Sequence, residues 1–217
     1  EINSTRGGTF APKVDYTTAT GPTSVSIGDI NSDGKLDLVS PTGASLVSVF
    51  VNNGNGTFAT KVDYSVAGGV YFVGIGDLNG DGKADLAVTN TTTNSISVLM
   101  NNGNGTFATK VDYATGNDPR SVVIGDLNGD GKPDLATANI GTDDSISILI
   151  NNGDGTFATK VDYTAGFDPR SIAMGDLNSD GRLDLAVADW NSSSVSVFIN
   201  KGNGTFATKV DYLTGDN

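Results

Sequence analysis

The sequence predicts an all-β fold, a β-propeller of four-stranded antiparallel blades, and two kinds of internal repetition support this prediction. An acidic loop begins at Asp29, Asp77, Asp126 and Asp176, with spacings of 48, 49 and 50 residues. A second marker, Thr-Phe-Ala followed by Lys-Val-Asp-Tyr, has its phenylalanine at positions 10, 58, 107, 157 and 206. Repeats of this length that hold four short strands are typical of propeller blades. No segment shows helical periodicity, so we expect no helices.

The third repeat shows the four predicted strands of one blade in order. Strand A covers 121–125 and strand B covers 134–138, on either side of the acidic loop. Strand C covers 145–150, where serine alternates with aliphatic residues as in a strand. An Asn-Gly-Asp-Gly hairpin signal then leads into strand D, whose predicted apolar face runs from Phe157 to Tyr163. The blade is therefore built from consecutive hairpins.

We expect residues 1–217 to form a single β-propeller or a fragment of one. The four complete repeats of about 49 residues are predicted at 21–64, 69–113, 118–163 and 168–212, with an extra N-terminal D strand at 9–16. A closed ring of four blades needs four D strands, whereas the sequence carries five. Three explanations stay open: a fragment of a longer propeller, an oligomer that shares strands, and a four-bladed ring with a displaced end strand. An uncovered strand edge favours self-association.

Each repeat has one loop whose oxygen-bearing side chains are spaced for a hard cation such as Ca²⁺. Aspartate or asparagine occupies loop positions 1, 3, 5 and 9, glycine at position 6 permits the sharp bend, and the carbonyl of position 7 adds a ligand. The candidate ligands are Asp29, Asn31, Asp33, Lys35, Asp37, Asp77, Asn79, Asp81, Lys83, Asp85, Asp126, Asn128, Asp130, Lys132, Asp134, Asp176, Asn178, Asp180, Arg182 and Asp184. A plain turn is the alternative interpretation, but three converging carboxylates would repel one another without a cation. The sequence predicts about four Ca²⁺ ions, one per complete repeat.

The loops differ from the EF-hand loop, which ends in a bidentate glutamate at position 12 and lies between helices. Position 12 is Ser40, Val88, Thr137 or Val187 here, and the flanking segments have the pattern of strands. Each loop is therefore predicted to form the tip of a β-hairpin.

The Asp-x-Asn-x-Asp-Gly-x-x-Asp loop, together with Asn-Gly-Thr-Phe and Pro-Arg-Ser, resembles the FG-GAP/VCBS repeat family over nearly the whole chain. That family includes the blades of the integrin α-subunit propeller and many bacterial surface and secreted proteins. The resemblance implies a propeller whose metal loops join strands A and B on one face. Integrin-type propellers have seven blades, whereas four complete repeats are present here.

Composition narrows the classes of function. The formal charge of −12 disfavours nucleic acid as a partner, and twelve of the 25 acidic residues lie in the four loops, where Ca²⁺ would neutralise them. No apolar run approaches the roughly 20 residues of a membrane helix, which predicts no membrane insertion. The first five residues lack the features of a signal peptide. Such loops bind Ca²⁺ at about 10⁻⁴–10⁻³ M in extracellular modules, so the predicted location is extracellular, secreted or on the cell surface.

The predicted function is a calcium-stabilised extracellular binding or adhesion module whose ligand is a protein or a glycan. The alternatives are a glycan-binding lectin and a self-associating structural repeat array. An enzyme is not expected, because the sequence has no histidine, no cysteine and no nucleophile elbow.

A ligand face is predicted opposite the metal loops, where the repeats differ most. Its candidate residues are Tyr71, Arg120, Arg170 and Trp190, because aromatic and arginine side chains on loops anchor ligands. The simpler interpretation is that Phe72 packs between blades and that Trp190 is an isolated surface aromatic.

Overall fold

The computed structural model describes residues 12–43 and 45–215, which form four sheets of four antiparallel strands each. Blade 1 contains β1 (Ser26–Gly28), β2 (Asp37–Thr42), β3 (Leu46–Phe50) and β4 (Val62–Ser65). Blade 2 contains β5 (Val70–Gly76), β6 (Asp85–Asn90), β7 (Ser95–Leu99) and β8 (Val111–Ala114). Blade 3 contains β9 (Pro119–Gly125), β10 (Asp134–Asn139), β11 (Ser145–Leu149) and β12 (Val161–Thr164). Blade 4 contains β13 (Pro169–Gly175), β14 (Asp184–Asp189), β15 (Ser194–Phe198) and β16 (Val210–Leu213). The all-β prediction of four repeated four-stranded blades is confirmed.

The strands of each sheet pair in chain order, as consecutive hairpins. The outermost strand is shorter than its sequence pattern predicts: in blade 3 it begins at Val161, and Phe157 makes only an isolated bridge to Asn151. Val161 is exposed rather than on the apolar face. The reason is that the Asn-Gly-Asp-Gly turn closes with its own backbone hydrogen bonds, from Asn152 N to the Thr156 carbonyl, before the outer strand starts.

Hydrophobic side chains form three cores, one between each pair of neighbouring blades. The first holds Val39 and Leu86, the second Leu78 and Leu135, and the third holds residues of blades 3 and 4. The two middle strands of blades 2 and 3 are buried along their whole length, because each blade is covered on both faces by its neighbours. The stability of a blade therefore depends on the blades beside it.

The four blades form an open series among the described residues. Extensive contacts join only blades that follow each other in the sequence, and none joins blade 1 to blade 4. Val25 and Ile27 on blade 1 and Leu177 on blade 4 are more than half exposed. The N-terminal strand predicted at 9–16 begins outside the described residues, and its described part, 12–16, forms no strand. The described part of the chain thus shows no closed four-bladed ring.

The connections between strands lie on two edges of the blades, as predicted. The side chain of Lys35, in the loop between β1 and β2, packs on Gly54 in the turn between β3 and β4. On the opposite edge, Thr91 N donates to the Gly69 carbonyl at 2.8 Å. This hydrogen bond joins the connection between β6 and β7 to the connection between β4 and β5. Within the described ranges there is no helix that could span a membrane. The acidic loops therefore share one edge, and the predicted ligand face occupies the other.

Candidate functional site

The four acidic loops have one backbone conformation, repeated between the first two strands of every blade. The glycine at position 6 has a positive φ in each loop, from 80° at Gly34 to 83° at Gly181. Position 4 is also left-handed, and it is serine in two loops, Ser32 (φ 60°) and Ser179 (φ 64°). A left-handed non-glycine residue costs about 1–2 kcal/mol. The loop therefore keeps this conformation even where serine replaces glycine at position 4.

The oxygens of positions 1 and 3 converge at the centre of the loop. In blade 1, Asp29 Oδ1 and Asn31 Oδ1 both accept from the N–H of Asp33, each at 3.1 Å. Asp29 Oδ2 accepts from Gly34 N at 2.9 Å. The same pattern occurs around Asp77 and Asp176. Around Asp126, Asp130 N donates only to Asn128 Oδ1, and Asp126 Oδ1 accepts from Asn128 N and Gly129 N instead. Two side-chain oxygens that share one donor lie beside each other, as ligands of one ion would.

The carboxylate at position 9 has a structural role that its sequence position did not predict. Asp37 is fully buried and accepts from Ile30 N at 2.9 Å and from Asn52 N at 2.7 Å. The other three loops repeat both hydrogen bonds. Burial raises the pKa of Asp85 and of Asp134. Position 9 thus ties the acidic loop to the turn between the third and fourth strands, and each oxygen keeps a second lone pair.

The position 5 carboxylates of blades 1, 2 and 3 have a lowered pKa, which favours their ionised form. The side-chain hydrogen bond from Lys35 lowers the pKa of Asp33, and the one from Lys83 lowers the pKa of Asp81. Both ammonium groups lie 2.9 Å from the carboxylate. The backbone hydrogen bond from Lys132 lowers the pKa of Asp130. The basic residue at position 7, expected to offer only its carbonyl, also draws the position 5 carboxylate toward itself.

The donor set of each loop fits a calcium ion in its chemistry. Three carboxylates, one amide oxygen and one carbonyl are all hard oxygen donors, and the sequence has no histidine or cysteine to favour a softer metal. Across residues 12–43 and 45–215, however, no three acidic side chains converge as a formed metal centre. The reason lies in the hydrogen bonds: position 3 is asparagine, position 9 accepts from backbone amides, and position 5 is paired with its lysine or arginine. An ion would have to draw these oxygens inward.

On the opposite edge, the structure brings the four predicted ligand-face residues together as two pairs. The guanidinium of Arg120 lies 4.6 Å from the ring centre of Tyr71, and that of Arg170 lies 4.8 Å from that of Trp190. A hydrogen bond from Arg170 to Asp168 holds that arginine and raises the pKa of Arg170. Phe72 packs against the core between blades 2 and 3, as its simpler interpretation predicts. Trp190 is 60% exposed but not isolated.

A cavity of about 280 Å³ lies beside Trp190 and contains a residue that sequence reasoning missed. It is lined by Arg170, Trp190, Ser194 and Asp189, among others. Asp189 is 2% exposed, and its Oδ1 has no hydrogen-bond partner. The signal was available in the sequence, because blades 2 and 3 have asparagine at this position, Asn90 and Asn139. The exchange places a buried carboxyl group with one unpartnered oxygen against the cavity.

Hydrogen-bond counting indicates that Asp189 carries a proton. Ser196 Oγ lies 2.6 Å from Asp189 Oδ2 and 2.7 Å from Asp211 Oδ1, but a hydroxyl has one hydrogen to donate. The side-chain hydrogen bond from Lys209 lowers the pKa of Asp211, which keeps that group ionised, whereas burial raises the pKa of Asp189. Ser196 therefore donates to Asp211, and protonated Asp189 donates to Ser196.

We expect Asp189→Asn to raise the stability of the protein at pH 7 by about 1–2 kcal/mol, because the amide donates to Ser196 without the cost of holding a proton on a carboxyl group at that pH. Asn139 already donates in this way to Ser145 and Ser147 in blade 3. In the wild type the pKa of Asp189 is raised above its unfolded value near 3.8, so the protonated side chain contributes its full stabilisation only below that pH. The contribution is lost as the pH rises through the folded-state pKa.

Urea unfolding of the wild type and the variant between pH 3 and 7 measures this difference. The advantage of the variant is expected to grow as the pH rises above about 4 and to disappear at pH 3. An advantage independent of pH would contradict the proton on Asp189.

The sequence matches the family model of the FG-GAP-like repeat at residues 41–88, 77–137, 130–187 and 176–217. This match confirms the resemblance drawn from the loop and hairpin motifs. No functionally curated protein is significantly similar in sequence.

Several solved structures share the fold. The periplasmic gluconolactonase of Pseudomonas aeruginosa has a TM-score of 0.64 at 19% identity, over 87% of this chain and 53% of that one. A proposed 6-phosphogluconolactonase of Bacteroides fragilis has 0.63 at 21%, over 87% and 54%. BBS1N, in complex with ARL6DN, has 0.59 at 16%, over 91% and 55%. The chain thus spans about half the length of these structures.

The expectation that the protein is not an enzyme is corrected by two of these structures. It depended on the missing histidine, cysteine and nucleophile elbow, yet a gluconolactonase and a proposed 6-phosphogluconolactonase have the same fold. At 19–21% identity the likeness shows the fold alone. A fold that is found in lactonases does not exclude catalysis, so the exclusion was wrong.

Proposed function

The chain belongs to the FG-GAP-like repeat family, and from this premise we propose that it is a calcium-stabilised extracellular binding module. Its four acidic loops would each hold one Ca²⁺, and the opposite edge of the blades would bind a protein or glycan ligand. The observation that carries the proposal is the paired placement of the position 1 and position 3 oxygens on one N–H, which is repeated in blades 1, 2 and 4.

The residues of the loop would each have a defined part in holding the ion. In blade 2, the side chains of Asp77, Asn79 and Asp81 and the carbonyl of Lys83 would supply ligands. Asp85 would supply a further oxygen while it keeps its hydrogen bonds to Leu78 N and Asn101 N. A bound cation supplies the positive charge that removes the repulsion between these carboxylates. Because Asp85 also holds the turn between β7 and β8, fixing this loop would fix the edge of the whole blade.

An extracellular location follows from the expected affinity. In extracellular modules, loops with this number of carboxylates bind Ca²⁺ with dissociation constants of about 10⁻⁴–10⁻³ M, so the calcium concentration outside cells would occupy them. A thermal melt in millimolar Ca²⁺ and in EGTA tests the proposal. The transition should move upward with calcium concentration, and identical melts would remove both the calcium sites and the inferred location.

Glycan binding is the form of ligand recognition that the opposite edge favours. The cavity beside Trp190 combines an exposed indole ring with the Arg170 guanidinium, the Asp189 carboxyl and the hydroxyl of Ser194. Sugars stack their apolar faces on aromatic rings and exchange hydrogen bonds with such polar groups. The self-associating array remains a third proposal, with different surfaces.

We expect Trp190→Ala to weaken binding to any glycan that the wild type retains on an array by tenfold or more, because the stacking surface is lost. The matched control is Tyr71→Ala, which removes the other aromatic of the predicted ligand face but leaves this cavity intact. Surface plasmon resonance with the retained glycan measures both. Equal losses in the two variants, or none in either, would contradict binding at the Trp190 cavity.

A further inference from the structure

The joint between neighbouring blades is built from the same contacts three times. The first contact lies on the innermost strands, where a glycine of one blade receives an aliphatic side chain of the next. A Cβ at Gly28 would lie 3.0 Å from Ile75, and one at Gly76 would lie 3.1 Å from Ile124. Gly125 is covered in the same way by Met174. The glycine is therefore required by the close approach of the following blade.

The second contact closes the joint at the edge that carries the acidic loops. An asparagine side chain of the following blade donates to the carbonyl at loop position 2 of the preceding blade: Asn101 to Ile30, Asn151 to Leu78, and Asn200 to Leu127, at 2.7–2.8 Å. The three apolar side chains at position 2 are at most 1% exposed. This contact buries an aliphatic side chain and satisfies the carbonyl beside it.

Both halves of these contacts are free at opposite ends of the described chain. On blade 4, a Cβ at Gly175 would meet nothing within 4 Å, and Leu177 is 54% exposed. On blade 1, Ile27 is 61% exposed, and the amide of Asn52 reaches only the Leu36 carbonyl of its own blade. Blade 4 therefore presents the receiving surface of a joint, and blade 1 presents the inserting surface.

A third contact is already made inside the chain, by the N-terminal segment. On the outer strands of blades 1, 2 and 3, a tyrosine packs edge-on against a phenylalanine of the next blade, with centroids 5.2 Å apart for Tyr64 and Phe107. Tyr16 makes this contact with Phe58 at 5.3 Å. It ends a Lys-Val-Asp-Tyr sequence identical to the one that ends at Tyr212. Tyr212 is 59% exposed.

From these observations we propose that blade 4 of one copy docks on blade 1 of a second copy, through the same joint that links blades within the chain. Ile27 of the second copy enters the space over Gly175, and its Asn52 donates to the Leu177 carbonyl. Tyr212 competes with Tyr16 for Phe58. The two surfaces are different and lie at opposite ends, so the joint is head to tail, and the proposed assembly is the ring that closes after two such joints.

The occupant is a second copy for reasons of surface and of size. The surface that fits blade 4 is the surface that blade 1 exposes, contact by contact. The propellers with the same fold are longer, and this chain covers 53–55% of them. Eight blades lie within the range that propellers adopt. The joint contacts use no acidic-loop carboxylate.

The test is the mass of the 217-residue chain by sedimentation equilibrium, in 0.15 M NaCl with EGTA. We expect a reversible change from one chain of 22.2 kDa to twice that mass as the concentration rises. Leu177→Asp and Ile27→Asp should each raise the dissociation constant of the pair by more than tenfold. Val161→Asp, at an equally exposed strand position inside blade 3, should leave it unchanged.

Mixing the two damaged variants gives the decisive result. A pair of Leu177→Asp with Ile27→Asp has one joint with both substitutions and one intact joint, so the mixture should associate more tightly than either variant alone. This rescue also shows that both variants are folded. Tyr16→Ala should strengthen pairing, because it frees Phe58 for Tyr212.

Three outcomes would overturn the proposal. A single 22.2 kDa species at every concentration would exclude pairing. A mixture that is no tighter than its components would exclude the head-to-tail joint, and species that grow beyond two chains would exclude the closed pair.

Discussion

In about 10 mM Ca²⁺ the protein is expected to unfold more than about 10 °C above its transition in EGTA. Four sites with dissociation constants of about 10⁻⁴–10⁻³ M would together contribute about 6–11 kcal/mol by mass action. For a chain of this size each kcal/mol raises Tm by about 2–4 °C. Differential scanning calorimetry over a calcium series measures the shift, which should keep growing with concentration as the logarithm of the free ion.

Asp130→Ala should remove about a quarter of that shift, because Asp130 is an exposed loop carboxylate that serves one site. The matched control is Asp162→Asn, which changes a carboxylate on the outer strand of the same blade, where it pairs with Lys160 and Ser147. The control should keep the full calcium shift. A shift that is equal in both variants would mean that calcium acts elsewhere, and no shift at all would mean that the loops are turns.

Tyr113→Ala is expected to destabilise the protein by about 2–4 kcal/mol. The ring is half-buried between blades 2 and 3 and packs edge-on against Phe157, with centroids 5.2 Å apart. Its removal loses buried apolar surface and an aromatic pair worth about 0.5–1.5 kcal/mol. Because blades 2 and 3 cover each other through one shared core, the joint between them should weaken as a unit, which guanidinium unfolding would detect.

Tyr212→Ala is the control for this experiment, since Tyr212 occupies the same strand position in blade 4 and is exposed. Measured at a concentration where the chain is a monomer, its effect should stay within about 0.5 kcal/mol. If the two variants lose equal stability, the tyrosine stabilises the protein through contacts within its own blade and not through the joint between blades.

The repeat pattern predicts the strands well, because each depends on nearby residues. Alternation in Ser145–Leu149 and the Asp-Gly turn after it are local signals, and the observed strand lies within a residue of the predicted one. The outer strands were predicted too long, because the turn before them continues its own hydrogen bonding past Phe157. The first strand of blade 1 has three residues where the other blades have seven, and no preceding blade covers it.

Within the acidic loops, the candidate ligand residues could be predicted from the sequence, but their hydrogen bonds could not. The ligand spacing predicts the loop carboxylates as candidate ligands, and Gly34 and its equivalents adopt the positive φ that the bend requires. The structural role of Asp37 was hidden, because its partner Asn52 is fifteen residues away in the sequence. The proton on Asp189 likewise depends on Ser196 and Asp211, which come from two other strands.

The sequence by itself determined the architecture of the blade: four strands, one acidic loop and one aromatic hairpin, repeated. Period-two alternation and left-handed glycines act over a few residues, so a single repeat contains all the information they need. Only the tertiary structure decided which oxygens stay free for an ion, which arginines cover Tyr71 and Trp190, and which surfaces at the two ends remain uncovered. The joint contacts and the Arg120–Tyr71 pair connect different blades, with partners 49 to 73 positions apart. The Arg170–Trp190 pair and the Asp37–Asn52 hydrogen bond form within one blade, from residues 20 and 15 positions apart.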